Sequence, residues 1–126
     1  MRVYLAGAIN GKTDAECMAW RDAASELLRN LGHEARNPMA RDFRGVETAH
    51  AWDIVRDDFR EIDECDAVIA RADEPSWGTA MEILYAHQRG LRVVAWGAPD
   101  KASPWLQVHA KLVRTVDQAI AHLANQ

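Results

Sequence analysis

Apolar residues fall along this chain in two rhythms: short unbroken runs, and longer stretches where they recur three and four positions apart. Arg2 to Ala8, Asp66 to Ala70 and Leu91 to Trp96 are the runs, with Arg92-Val93-Val94-Ala95 at the centre of the last, and they read as buried strands. His33 to Asn37 and Lys111 to Arg114 read as two shorter ones. Between them lie helices. Thr13-Asp14-Ala15-Glu16 spells a capping box, and behind it Cys17, Trp20, Ala24, Leu27, Leu28 and Leu31 keep helical spacing up to a stop at Gly32. A second helix carries Trp52, Val55, Phe59 and Ile62 on one stripe. A third runs from Trp77 to Gln88, with Ser76 as N-cap, Ala80, Ile83, Leu84 and His87 on its packing face, and Gly90 closing it. Thr115 caps a last helix through Ala119, Ile120 and Leu123. Residues 38 to about 49 show no period, and a loop that long in a small domain is often functional.

Strand and helix alternate, and the strands are almost continuously apolar. That pattern is expected when helices cover both faces of a parallel sheet. The chain therefore predicts one three-layer α/β/α domain over residues 1–126, flavodoxin-like, with a parallel sheet of order 2-1-3-4-5. Such sheets bind ligands beyond the carboxyl ends of their strands, where the strand order reverses. Here that edge is built from Gly7 to Gly11, the loop after Pro38, Arg71 to Gly78, and Gly97 to Trp105.

Composition narrows the field. A length of 126 residues gives one domain with a real core, and 48% hydrophobic with 27% charged residues is an ordinary globular balance. A formal net charge of −4 argues against nucleic acid as a partner, since duplex binding usually needs a basic face. No apolar run approaches the roughly 18 residues a membrane span requires. The apolar start is too short for a signal peptide, so a cytoplasmic protein is expected. Cys17 and Cys65 lack CxxC spacing and read as reduced core thiols. The five histidines form no HxH or HExxH pattern, so neither a zinc site nor another cofactor is expected.

Candidate chemistry rests on carboxylates. Asp53 and Asp57 are spaced with Arg56 and Arg60 as a solvated ion-pair face. Asp58 instead falls four residues after Ile54 and four before Ile62, at the border of the apolar stripe, where a carboxylate needs a reason. Spacing alone leaves two: a functional acid, or an ion pair or cap for a nearby loop. Glu82 lies one turn beyond Gly78, whose missing side chain leaves room for a ligand, although an ordinary surface Glu fits the same spacing. The Ser76 hydroxyl caps its helix and, with the free amides of the first turn, could hold an oxyanion such as a phosphate. Tyr4, on the first strand, reads as core.

Taken in order, these segments resemble the nucleoside 2-deoxyribosyltransferase-like superfamily over nearly the whole chain. The resemblance rests on Tyr4-Leu5-Ala6-Gly7, on Asp58 ahead of Cys65-Asp66-Ala67-Val68-Ile69-Ala70, on Gly78-Thr79-Ala80-Met81-Glu82-Ile83-Leu84-Tyr85-Ala86, and on Gly90-Leu91-Arg92-Val93-Val94. The compact length, the stretch from Asn37 to Gly45 and Ser103-Pro104-Trp105 are similar to small bacterial or phage-type members. The resemblance implies Glu82 as the nucleophile at the anomeric carbon, Asp58 as the acid that assists the leaving base or positions the sugar, and Tyr4 beside them. A retaining reaction of this kind uses two acids about 5 Å apart and a covalent glycosyl-enzyme. The defining transferases carry an acid six positions before the nucleophile. Here that position is Ser76, similar to the branch that hydrolyses 2'-deoxynucleoside 5'-monophosphates and binds phosphate there. Gly7, Ile9, Asn10 and Gly11 resemble that branch's phosphate-side loop, and Arg44 and Gly78 join the expected substrate contacts. Ser103 matches a position that a neighbouring subunit contributes, so a homodimer or higher homo-oligomer with a shared site is expected.

Three readings follow. The first is an N-glycosidase on a deoxynucleoside 5'-monophosphate, with water taking the glycosyl group from Glu82. The second is a transferase that passes the deoxyribose to another base, and the two compete for one intermediate. The third is a non-catalytic nucleotide-binding module. A cytokinin-type phosphoribohydrolase would carry a double Gly before its Gly-Thr, which Pro75-Ser76-Trp77 does not.

Overall fold

Five strands form the centre of the computed structural model, which describes residues 1–9, 11–40 and 49–125. They are β1 (Arg2–Ala6), β2 (Glu34–Arg36), β3 (Ala67–Arg71), β4 (Arg92–Trp96) and β5 (Lys111–Val113). All pairings are parallel and the order is β2-β1-β3-β4-β5, as the alternating pattern predicts. The helices are α1 (Asp14–Asn30), α2 (Ala51–Asp63), α3 (Trp77–Gln88), α4 (Pro104–His109) and α5 (Val116–Ala124), with a short 3-10 turn at Pro38–Ala40.

Register sets what each sheet face carries. Tyr4 pairs with Val68 and Val68 with Val93, so all three side chains point to one face, and the alternate residues Val3, Ala67 and Arg92 to the other. Val3, Leu5, Ala67, Ile69 and Val94 pack under Trp20, Ala24 and Leu28 of α1 and Ala119, Ile120 and Leu123 of α5. Tyr4, Ala6, Val68, Ala70, Val93 and Ala95 pack under Ile62 of α2 and Ile83 and Ala86 of α3. Strands covered on both faces have no polar side to show water, which explains their unbroken apolar runs.

The capping box forms: Thr13 Oγ1 accepts from the Glu16 amide at 3.1 Å, and Glu16 Oε1 accepts from the Thr13 amide at 3.2 Å. Gly32 ends α1 at φ +82°, a conformation that penalises any Cβ. Ser76 and Thr115 cap α3 and α5 through the amides of Thr79 and Gln118. Both cysteines are free and buried, and burial pushes the Cys65 thiol up to about 12, which makes it unreactive.

Helix faces differ from the spacing on three helices. On α1 the buried stripe is Cys17, Trp20, Arg21, Ala24 and Leu28, while Leu27 and Leu31 are exposed. A buried arginine takes the place the pattern gave to leucine. On α2 only Ile62 is fully covered; Val55 and Trp52 face solvent, Trp52 at 89% exposure. On α3 the inward residues are Thr79, Ile83 and Ala86, so Ala80, Leu84 and His87 turn outward. Tyr85, half-buried, stacks on Phe59 of α2 at 4.0 Å, donates to the Asp63 carboxylate and accepts from Arg89 Nη2. α4 was not predicted as a helix, although Ser103-Pro104, an N-cap followed by proline at the first helical position, is its signature.

Two glycines test the packing from opposite sides. A Cβ on Gly7 would stand 3.0 Å from Trp20 Cζ2 and 3.2 Å from Arg21 Nη2, whereas a Cβ on Gly78 meets nothing within 4 Å. Gly7→Ala should therefore lose about 1–3 kcal/mol to overpacking, and Gly78→Ala, in a helix, should gain about 0.5–1 kcal/mol. Urea unfolding of both variants checks the pair; a destabilised Gly78→Ala would mean the space above α3 is not open.

Candidate active site

Two strand-to-helix loops meet where the strand order reverses, between β1 and β3. The first, Gly7 to Lys12, leaves β1 and enters α1; the second, Ala72 to Ser76, leaves β3 and enters α3. Lys12 ties them together. Its ammonium pairs with Glu74 on the second loop and lies 3.8 Å from Glu16 on α1, and the hydrogen bond it donates to Glu74 raises its proton affinity above the ordinary lysine value. Arg71, at the end of β3, grips Asp73 with Nε at 3.1 Å and Nη2 at 3.0 Å, while its guanidinium stands 5.3 Å from the ring centroid of Trp96. These exposed pairs shape the loops more than they stabilise the fold.

Glu82 is the sixth residue of α3 and is half-buried against the sheet. Tyr4, wholly buried on β1, donates its phenolic hydrogen to Glu82 Oε2. A buried phenol needs such a partner, and the bond fixes the carboxylate's direction. The sequence reads Tyr4 as core; the structure shows a core residue with a polar end at the candidate site. Asp58 is half-buried on α2, one turn before the buried Ile62, and α2 packs beside α3 on this same face. Its neighbour Asp57 pairs with Arg56 at 3.2 Å, and Asp53 pairs with Arg56 at 3.0 Å, so the ion-pair face lies where the spacing put it.

The remaining predicted residues divide by position. Gly7 is buried against Trp20 and Arg21; Ile9 is half-buried, its carbonyl accepting from the Lys12 amide; Gly11 is exposed at φ +80°. Gly78 lies open on the first turn of α3. Asn10 and Arg44 fall outside the described residues. Ser76 Oγ accepts from the Thr79 amide at 3.4 Å and from the Thr79 hydroxyl at 3.1 Å, which leaves its own hydrogen able to donate. Ser103 caps α4 in the same manner, accepting from the Trp105 amide at 3.2 Å.

A cavity of about 680 Å³ lies between α3 and α4, lined by Ser76, Trp77, Met81, Leu84, Ser103 and Trp105 among others. Glu82, Tyr4 and Asp58 are not in its wall. The structure thus brings Ser76 and Ser103 together on the outer side of α3 and Glu82 with Tyr4 on its inner side. Among the described residues, no group of three or more His, Cys, Asp or Glu side chains is placed to hold a metal ion, and no helix is long and apolar enough to cross a membrane.

Arg21 went unnoticed in the sequence. It is wholly buried, with Nη1 donating to Cys17 O at 2.8 Å, Nη2 to Gly7 O at 3.0 Å and Nε to Leu5 O at 3.3 Å. The signal was present: Arg21 falls four residues after Cys17 and seven before Leu28, on the apolar stripe itself.

Comparison with solved structures gives the same fold in several enzymes. A 2-desoxiribosyltransferase from Leishmania mexicana superposes with a TM-score of 0.75 at 20% identity, covering 99% of this chain and 97% of that one. A 2-deoxyribosyltransferase from Bacillus psychrosaccharolyticus gives 0.75 at 17% identity over 94% and 90% of the two chains. The CMP N-glycosidase BcmB of Clostridium botulinum gives 0.63 at 20% identity over 98% and 97%. At these identities the likenesses establish the fold. No protein of curated function matches the chain by sequence. The profile of the family described as nucleoside 2-deoxyribosyltransferase does match, over residues 3–112. Running from the first strand to the last, across Tyr4, Asp58 and Glu82 and both loops at the switch point, that match shows that the chain belongs to the nucleoside 2-deoxyribosyltransferase family.

Proposed function

We propose that this protein hydrolyses the N-glycosidic bond of a 2'-deoxynucleoside 5'-monophosphate through a glycosyl ester on Glu82. Family membership supports an activity of the deoxyribosyltransferase or N-glycosidase type on a nucleoside or nucleotide. The observation that carries the finer reading is the Tyr4–Glu82 hydrogen bond, which aims one carboxylate at a fixed point beside an open glycine.

In this mechanism a Glu82 oxygen forms a bond to the anomeric carbon as the carbon–nitrogen bond breaks. Asp58, protonated, gives its proton to the departing base. Water then attacks the same carbon and gives a proton to the Asp58 carboxylate, the ester bond breaks, and Glu82 returns as a carboxylate, the anomeric configuration being retained overall. Tyr4 holds the carboxylate in line and stabilises it as the leaving group of the second step. Ser76, the first amides of α3 and the loop from Gly7 through Asn10 to Gly11 receive the phosphate, with Arg44 as a further contact. The CMP N-glycosidase among the similar structures shows that this fold can serve a nucleoside monophosphate. Transfer to a free base is the rival outcome; the uncharged Ser76, where transferases hold an acid, favours water.

Glu82→Gln should fold and lose activity by about three powers of ten or more. Asp58→Asn should also slow turnover strongly, while Asp57→Asn, which loses only an exposed pair with Arg56, should stay near wild type. Base release, followed by chromatography on a panel of deoxynucleosides and their monophosphates, decides it. An active Glu82→Gln protein would remove the covalent step.

Ser76→Ala should raise KM for monophosphates more than for unphosphorylated nucleosides, and Ser76→Asp should reverse the preference by placing an anion against the phosphate. A wild type that prefers free nucleosides, or that transfers deoxyribose to an added base faster than it hydrolyses, would favour the transferase instead.

We also propose a homodimer or larger assembly. Trp77, Met81, Trp105 and Val108 expose 85%, 57%, 76% and 69% of their surface on neighbouring faces of α3 and α4, an apolar patch that a lone domain rarely leaves in water. Tyr85, which follows Trp77 and Met81 at the same four-residue spacing, points instead to α2, while Ala80 and Leu84 are exposed beside the patch. Ser103, in the middle of this face, would then reach the neighbour's site. Light scattering should give at least a dimer, and Met81→Asp should yield monomers of reduced activity; a fully active wild-type monomer would refute the shared site.

A further inference from the structure

A buried cation is costly unless something compensates it, and Arg21 is the largest fully buried side chain among the described residues. Its hydrogen bonds all go to neutral carbonyl oxygens, those of Leu5, Gly7 and Cys17, and its guanidinium lies 4.8 Å from the centroid of the Trp20 ring. None of the ion pairs among the described residues includes it. Burial accordingly pushes the guanidinium below the ordinary arginine value. Cys17, Glu82 and Tyr4 act in the opposite sense, and Arg71 acts with the burial. Glu82 is the one carboxylate in that set. An arginine stays charged even so, and the attraction it feels from Glu82 is felt equally by Glu82.

Geometry joins the two residues a second way. Arg21 Nε holds the carbonyl of Leu5, the residue after Tyr4, and Nη2 holds that of Gly7. The strand end that presents the phenol to Glu82 is thereby clamped on both sides of Ala6. The close fit at Gly7, where a Cβ would meet Nη2 at 3.2 Å, shows the loop built around the guanidinium.

We propose that Arg21 is a positioning residue for Glu82: by holding the carbonyls of Leu5 and Gly7 it fixes the end of β1 that carries Tyr4, and with it the phenol that aims the Glu82 carboxylate. This rests on the reading of Glu82 as the nucleophile. Lysine at this position keeps donors for the backbone carbonyls, and methionine keeps none.

The test compares wild type, Arg21→Lys, Arg21→Met and Glu82→Gln. In the carbon NMR titration of glutamate side-chain carboxyls, the Glu82 signal is the one missing from Glu82→Gln. Its midpoint should rise by roughly one pH unit or more in Arg21→Met and stay within about half a unit of wild type in Arg21→Lys. Tyr4 of β1, Cys17 of α1, Arg71 of β3 and the α2 acids, Asp58 included, are unchanged in both Arg21 variants, so the difference isolates Arg21. A second measurement uses a variant that keeps the Arg21 clamp. Tyr4→Phe retains the buried ring and loses only the phenol, so its Glu82 midpoint should rise as far as in Arg21→Met. An unmoved midpoint in a folded Arg21→Met, or in Tyr4→Phe, overturns the proposal. Neither readout needs turnover. A shifted midpoint in a protein inactive on every nucleotide would overturn the functional reading and support the coupling, whereas activity with an unmoved midpoint would do the reverse.

Discussion

At the end of β1 the chain stops being a strand at the buried Gly7, before it reaches the exposed Gly11 and enters α1. Backbone carbonyls in such a place have no water to bond and need a donor from the protein. Arg21 supplies it for Leu5 and Gly7 at once, reaching down from α1 onto the strand that α1 follows. The helix and the strand are thus fastened at the point where the site begins. The rest of the site depends on that fastening, because Tyr4 lies one residue before Leu5 and takes its direction from the same stretch of backbone. A phenol displaced by an ångström would no longer aim Glu82.

The outer parts of the site are held more loosely. Lys12 with Glu74, and Arg71 with Asp73, stitch the two loops across the switch point, but these pairs are exposed and contribute little net stability. Their use is geometric: they keep the loop before Ser76 near the loop after Gly7, so that the N-terminus of α3 and the start of α1 converge on one place. The charged side chains of this rim among the described residues, Lys12, Glu16, Arg71, Asp73 and Glu74, carry no net positive charge. An anionic substrate held here would draw on amides and hydroxyls, and that is the service Ser76 and the Gly7–Gly11 loop can give beside Arg44.

The fold was legible because its strands have no polar side. Buried on both faces, β1, β3 and β4 appear as apolar runs that no exposed strand would show, and the caps Thr13, Ser76 and Thr115 mark helix starts by chemistry that does not depend on tertiary context. Helix faces were less legible. The period places Leu27, Leu31, Trp52 and Leu84 on apolar stripes, yet which part of a wide stripe touches the sheet depends on how the helix is set down, and that follows from partners distant in sequence. For the site, Glu82 and Asp58 were visible as carboxylates at stripe borders. The Tyr4 bond was not, since an aromatic in a buried strand looks the same with or without a partner for its hydroxyl. Arg21 was hidden for the reverse reason: a single arginine on an apolar stripe passes for a side chain that reaches round to solvent.

The two sides of α3 then divide the work. Glu82 faces the sheet and Tyr4, while Trp77, Met81 and Leu84 face the cavity beside Ser103 and Trp105. Ser76, at the helix tip, belongs to the cavity, yet its hydroxyl and amides sit where a ligand could extend round the end of the helix toward Glu82. A ligand reaching from one side to the other would have to cross the first turn, and there the chain carries Gly78, one helical turn before Glu82. Glycine in a helix sacrifices backbone stability, and a position where alanine would meet nothing within 4 Å has no packing reason to accept that loss. The open space itself is the reason that fits. A substrate anchored by its phosphate at Ser76 would need that space to lay its sugar across the turn and bring the anomeric carbon to the carboxylate.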